Sequence, residues 1–223
     1  MVATEPFAPV EQSLVVAKCT AKRSATQWGL AALLLVLLLA SGCATRPAAP
    51  EVVHWESHQR QLLALRHWQI EGKLGYRSPE QNGSAFVTWR QAEDAFDLAL
   101  TGPFGAAATR ISGDHQRAVL QQQGRDEIRA PTAVKLTEWL FGWPLPVEQM
   151  VDWVKGVPAS EPRQYLHDFN LAGQLATLEQ AGWQLQFDNY QQVDGLALPG
   201  RIRGTRGEVA FTLVVRQWRI GQF

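Results

Sequence analysis

The clearest pattern in the chain is a hydrophobic repeat of two. Trp68, Ile70, Leu74 and Tyr76 alternate with polar residues, and after Gln81-Asn82-Gly83 the residues Ala85, Val87 and Trp89 alternate again. Alternation places every apolar side chain on one face of a strand, and Asn-Gly suits a two-residue hairpin turn because both residues tolerate positive φ. The pattern therefore predicts a hairpin turning at Asn82-Gly83. Glu93-Asp94 makes the next turn, and Phe96, Leu98 and Leu100 then alternate with Asp97, Ala99 and Thr101 until Gly102-Pro103 break the strand. That break leaves Phe104, flanked by Pro103 and Gly105, at a loop tip, where it either folds back onto the core or is offered to something outside. Further strands are expected over 107–112, 117–122 and near 127, which completes an antiparallel meander.

The period then changes to that of a helix. Leu136, Trp139, Leu140 and Trp143 follow i, i+3, i+4, i+7 spacing, and beyond Pro144-Leu145-Pro146 so do Val147, Met150, Val151 and Val154, up to Gly156 and Pro158. Two short amphipathic helices of this kind must cover an apolar surface, most simply one face of the preceding sheet. Upstream, 51–66 also reads as a helix, with Val52, Trp55, Leu62 and Leu63 loosely on one side. After a polar connection over 165–170, strands return at Trp183, Leu185 and Phe187, and 198–203 pairs with 209–216 as a final hairpin with Ile202, Phe211, Leu213 and Val215 inward. The fold class is mainly β with α: a large, discontinuous antiparallel sheet covered by short helices.

The N-terminal region serves as an address. Lys18, Lys22 and Arg23 precede an unbroken apolar run over 30–40, followed by Ser41-Gly42-Cys43. The run is too short to span a bilayer comfortably and suits the core of a secretory signal peptide. Small residues before a cysteine resemble the bacterial lipobox, in which Cys43 takes diacylglycerol and becomes the new, acylated N-terminus. Cys19 lies in the part to be removed, so Cys43 is the lone cysteine of the mature chain and no internal disulfide can form. Three acyl chains, at about 0.8 kcal/mol per buried CH2, make such an anchor effectively permanent. The expected organisation is a signal peptide over 1–42, a lipidated N-terminus and tether over 43–50, and one domain over 51–223. Ala44 follows the cysteine where an inner-membrane retention signal would place aspartate, which favours the outer membrane.

Composition narrows the function classes. Lys and Arg together number 21 and so do Asp and Glu, which argues against a nucleic-acid binder because such proteins carry a basic excess to neutralise phosphates. Nine tryptophans supply amphipathic contact area suited to a core or to apolar ligands. His54 and His58 stand four apart, but no H-E-x-x-H pattern or third ligand accompanies them, so they read as solvated histidines and not as a metal site. The acid pairs Glu93-Asp94 and Asp126-Glu127 fall at turns, where carboxylates are usually solvated. Arg201, Arg203, Arg206 and Arg216, locally opposed by Glu208, read as a solvated outer face before they read as a headgroup-binding strip. With no G-x-S-x-G, Walker or G-x-G-x-x-G pattern and no cysteine left for nucleophilic work, the chain reads as a binding protein without a cofactor and not as an enzyme.

Several stretches together resemble one family. The lipobox at Cys43, Val87-Thr88-Trp89-Arg90-Gln91, the 98–105 segment with its proline-hydrophobe-glycine tip, Gly142-Trp143-Pro144-Leu145-Pro146 leading to Trp153 and Gly156-Val157-Pro158, and Leu198-Pro199 through Trp218 are similar to the LolB family, outer-membrane receptors for lipoproteins in proteobacteria. The resemblance implies an incomplete, half-open antiparallel β-barrel closed by short helices around an apolar cavity. It further implies a monomeric protein that accepts triacylated lipoproteins from the periplasmic carrier LolA and releases their acyl chains into the inner leaflet of the outer membrane. A single sixteen-carbon chain in water costs about 12 kcal/mol at about 0.8 per CH2, which is why a carrier and a receptor are needed. Phe104 aligns with the exposed tip residue that the family uses in delivery; phenylalanine stands where leucine is familiar and Gly102 where asparagine is, so the role carries over by position and chemistry. Strand alternation and the helix stripes select Val87, Trp89, Phe96, Leu98, Leu100, Trp139, Leu140, Met150, Phe187, Leu213 and Val215 as the cavity lining. A structural or assembly lipoprotein binding a protein through the same sheet is the alternative reading.

Overall fold

The computed structural model describes residues 53–102 and 108–221. The expected signal peptide and tether, Cys43, and the tip residues Pro103, Phe104 and Gly105 lie outside the described residues. The described chain begins with helix α1 (Trp55–Ala64), shorter than the pattern over 51–66 implies, and continues into the meander β1 (His67–Arg77), β2 (Asn82–Ala92), β3 (Ala95–Thr101), β4 (Thr109–Gly113), β5 (Ala118–Gln122) and β6 (Ile128–Ala130). Helices α2 (Ala133–Phe141) and α3 (Val147–Trp153) follow. The chain then returns to strands as β7 (Tyr165–Phe169), β8 (Leu175–Gln180), β9 (Trp183–Asp188), β10 (Gln191–Val193), β11 (Leu196–Leu198), β12 (Arg201–Arg206) and β13 (Val209–Ile220).

Eleven strands form one antiparallel sheet in the order β6-β5-β4-β3-β2-β1-β13-β12-β9-β8-β7, and β10 pairs with β11 apart from it. The two edge strands, β6 and β7, do not pair with each other, so the barrel is incomplete. The centre is the β1–β13 pair, where the last long strand returns beside the first. Inward residues follow the expected alternation on β1 to β3: Trp68, Ile70 and Leu74, then Val87 and Trp89, then Phe96, Leu98 and Leu100 are all buried.

Besides the unforeseen strands β8, β10 and β11, four local features differ from the sequence reading. The β1–β2 hairpin forms, but its connection is Ser78 to Gln81, closed by the Ser78 N–H on Gln81 O at 2.8 Å and the Gln81 N–H on Ser78 Oγ at 3.1 Å. Asn82 and Gly83 are already strand, paired with Arg77 and Tyr76. A Cβ on Gly83 would stand 2.6 Å from the Tyr76 hydroxyl, so this glycine makes room for a ring and does not shape a turn. Second, the segment from Tyr165 to Phe169 is a strand, β7, not a polar connection.

Third, β13 runs on to Ile220 because it contains a bulge. Glu71 pairs with Gln217 but Gly72 with Val215, so Arg216 is the extra residue and the inward positions shift from Phe211, Leu213 and Val215 to Trp218. Fourth, α2 turns a different face inward. It buries Ala133, Leu136, Thr137 and Phe141, while Trp139 is 51% exposed and Leu140 only half-buried. The cause is polar: the Thr137 hydroxyl accepts the Leu145 N–H at 3.0 Å and lies 2.9 Å from Val134 O and 3.2 Å from Leu145 O, so it must face the α2–α3 connection. Gly142, with φ of 77° and its N–H on Glu138 O, ends the helix there.

Candidate functional site

The candidate site is the inner face of the sheet beneath α2 and α3. Val87, Trp89, Phe96, Leu98, Leu100, Phe187, Leu213 and Val215 come to it from four strands, and Met150 reaches it from α3. All nine belong to one buried cluster with Trp68, Ile70, Trp143, Trp153, Trp183 and Phe211. Leu140 packs against this cluster from its edge, and Trp139 stands outside it. The interior is filled by these side chains, so the apolar face is covered in this state by the protein's own helices.

Aromatic rings make up much of that filling. Tyr76, Phe141, Trp143, Trp183 and Phe211 form a run with centroids 4.9, 6.0, 5.8 and 5.3 Å apart, and Trp89, Trp68 and Trp218 form a second with spacings of 5.3 and 5.6 Å. The first run joins the helix connection at Phe141 and Trp143 to the sheet at Tyr76, Trp183 and Phe211. Three of these indoles, on Trp68, Trp143 and Trp183, have buried N–H groups with no acceptor. An unpaired buried donor destabilises the closed arrangement by about 1–3 kcal/mol. By contrast, Trp153 donates to Gln180 Oε1 at 2.8 Å, Trp218 to Pro199 O at 3.1 Å and Trp89 to Gln91 Oε1 at 3.2 Å.

Few directional contacts hold the cover. Gln81 Nε2 donates to Leu140 O at 3.3 Å, tying α2 to the β1–β2 connection. Gln180, 2% exposed, takes the Trp153 indole N–H and the Ala159 N–H on its oxygen, each at 2.8 Å, and donates to Ala159 O and Pro162 O. Gln180 escaped the sequence reading because β8 itself did: its buried residues Leu175, Leu178 and Gln180 do not alternate. Between these points the cover is held by apolar packing.

A second feature lies at the rim. A pocket of about 200 Å³ is lined by apolar Leu63, Leu65, Phe96, Val147 and Val151 and by charged Arg66, Glu93, Asp94, Asp114, Glu148, Asp152 and Lys155. Of the residues selected for the cavity only Phe96 reaches it. Lys155 is 3% exposed and its Nζ sits 3.0 Å from Asp152 Oδ1.

The histidines and arginines also have structural roles. His58 is buried, with Nε2 3.1 Å from Ala197 O, and burial lowers its pKa; this corrects its reading as a solvated residue. Among the described residues no cluster of three or more His, Cys, Asp or Glu could hold a metal ion. On the outer face, Asp188 pairs with Arg203 at 2.5 Å and Arg201 at 3.8 Å, and Arg216 lies over the Phe86 ring at 5.5 Å.

Known proteins share this sequence over most of its length. The family model "Outer membrane lipoprotein LolB" matches residues 66–218. Outer-membrane lipoprotein LolB of Cellvibrio japonicus is 37% identical over 84% of this chain and 96% of its own length, and that of Stutzerimonas stutzeri is 37% identical over 83% and 92%. A LolA superfamily protein from Nitrosomonas europaea is similar in structure at a TM-score of 0.46 and 9% identity, covering 77% of this chain and 95% of that one. With a match over the sheet and both covering helices, this chain belongs to the outer membrane lipoprotein LolB family.

Proposed function

We propose that this protein is a lipid-anchored receptor of the outer membrane, facing the periplasm, that accepts the acyl chains of lipoproteins from a LolA-type carrier and passes them to the membrane. The observation that carries the reading is the apolar sheet face covered by α2 and α3 through few polar contacts. Acyl chains enter by displacing this cover and take its place against Val87, Leu98, Leu100, Phe187, Leu213 and Val215. The exchange is nearly neutral because one apolar contact replaces another, so binding is reversible and the chains can move on to the bilayer. Ester and amide carbonyls of the cargo supply acceptors for the indole N–H groups of Trp143 and Trp183. No bond is made or broken; the work is binding and transfer.

Two further residues complete this reading. Cys43 carries the anchor, and Phe104 at its proline-glycine tip enters the bilayer as cargo leaves. The test is a transfer assay in which mature protein with Cys43→Ala is mixed with carrier loaded with an acylated lipoprotein. Cargo is expected to move to the receptor, and cargo remaining on the carrier overturns the proposal. Phe104→Glu is expected to accept cargo but not release it into vesicles, because a carboxylate resists entering the bilayer.

A further inference from the structure

The edge of the sheet at β7 is exposed in a way the acyl-chain site does not require. Leu171 is 101% exposed at the turn between β7 and β8, Leu166 is 70% and Phe169 41% exposed, and among the described residues β7 has no partner on its outer side. Tyr165, His167 and Phe169 meet along the strand in tilted and edge-on contacts at 5.5 and 4.9 Å, and Trp55 of α1 joins them 4.8 Å from Phe169. An unprotected edge strand bearing large apolar side chains is an aggregation hazard unless something covers it.

Leu171 is held in place by its turn. Asn170 Oδ1 accepts the N–H groups of Ala172 at 2.9 Å and Gln174 at 3.1 Å, and Asn170 Nδ2 donates to Gln174 Oε1 at 2.8 Å. Gly173 has φ of +73°, and a Cβ there would stand 2.5 Å from Val53 O, so glycine is required twice over. The same turn receives the start of the domain, for the Val53 N–H donates to Ala172 O at 2.9 Å. Nine residues, 44–52, separate Cys43 from Val53, and at about 3.5 Å per residue even a fully extended chain reaches only about 35 Å. An acylated Cys43 therefore confines the Leu171 turn to within about 35 Å of the bilayer and leaves it free to reach the surface.

We infer that this patch, Leu171 at the tip with Phe169 and Trp55 beside it, is a membrane-contact surface that seats the domain on the phospholipid leaflet holding its anchor. The inference rests on the reading of Cys43 as the lipidated residue. The chemistry suits the interface: aromatic rings with polar edges favour headgroup depth, and an aliphatic tip reaches the acyl boundary. Pairing links Thr101 through Phe86, Lys73, Val214 and Arg201 to Asp188, which puts the end of β3 at the strand ends opposite to the β7–β8 turn; seating on Leu171 and delivery through the segment after Thr101 are therefore successive attitudes of the tethered domain.

The test places a polarity-sensitive fluorophore on Leu171→Cys in the mature acylated protein, reconstituted into phosphatidylethanolamine–phosphatidylglycerol vesicles. Cys19 is lost with the signal peptide and the Cys43 thiol is occupied, so the introduced thiol is the one available for labelling. Lys73→Cys, exposed on the outer face of β1 at the centre of the sheet, is the control. Blue-shifted emission at 171, quenched several-fold more by nitroxide-bearing lipid than at 73, supports the proposal. Water-like emission at 171 in protein whose mass shows an acylated Cys43 overturns it alone, as expected if this edge binds a protein instead. A Cys43 without acyl chains by mass overturns the anchor reading and this inference with it.

Discussion

Trp153 at the end of α3 and Gln180 at the end of β8 are joined by a buried hydrogen bond of 2.8 Å, and Gln180 makes three more bonds to the backbone of Ala159 and Pro162. One glutamine thus fixes the far end of the helical cover to the sheet. Gln180→Met keeps much of the volume but strands the indole N–H and two buried backbone groups, so a loss of about 2–4 kcal/mol is expected in chemical denaturation. The same variant is expected to admit a hydrophobic dye to the sheet face faster than the parent protein. Unchanged dye kinetics would show that α3 is held by packing alone.

Gly72 and Gly75 give a matched pair on β1. A Cβ at Gly72 would sit 2.0 Å from Val214 O, a backbone atom beside the bulge in β13, whereas at Gly75 the nearest neighbour is Thr212 O at 3.9 Å. Gly72→Ala must therefore open the central strand pair and is expected to lose about 3 kcal/mol. Gly75→Ala is expected to be neutral or to gain up to about 1 kcal/mol through the unfolded chain. Thermal unfolding of the two variants side by side checks the contrast.

The same strands show what can be read from sequence. Period two identified β1, β2 and β3 with their inward residues because each packs one face and leaves the other to solvent. The reading stopped at Arg216 because the bulge adds one residue and reverses the phase, which periodicity registers as an end. It missed β8, where Leu175 and Leu178 are buried three apart and the pairing with β7 is irregular. On α2 the apolar stripe selected Trp139, but the hydrogen bonds of Thr137 rotate the helix so that the tryptophan faces outward. Patterns of apolar residues cannot show where one hydroxyl or one inward glutamine prevails.

His58 makes stability depend on pH. It is buried against Ala197 O, and burial holds its pKa below the ordinary 6.5. The unfolded chain therefore binds the proton first as pH falls. The neutral ring contributes its full share above 6.5, and that share is lost as pH drops from 6.5 through the lower folded-state pKa, at no more than about 1.4 kcal/mol per pH unit for one proton. Denaturation between pH 5 and 8 is expected to show this decline in the parent and a shallower one in His58→Gln, which keeps a donor for Ala197 but cannot titrate. Identical slopes would assign the decline to other groups.

Lys155 and Asp152 test whether the rim of the cover is held by charge. The lysine is 3% exposed and its ammonium lies 3.0 Å from Asp152 Oδ1, while the carboxylate side chain keeps 18% exposure. A buried ion pair gains Coulomb energy but loses hydration, so its net worth is small, whereas deleting one partner leaves the other charge uncompensated. Lys155→Met is therefore expected to lose about 2–3 kcal/mol, and Lys155→Met with Asp152→Leu to return to within about 1 kcal/mol of the parent. The pair lines the rim pocket at the end of α3 and its removal leaves Gln180 in place. The double variant should consequently keep the slow dye entry of the parent, and fast entry would move the latch from the glutamine to this ion pair.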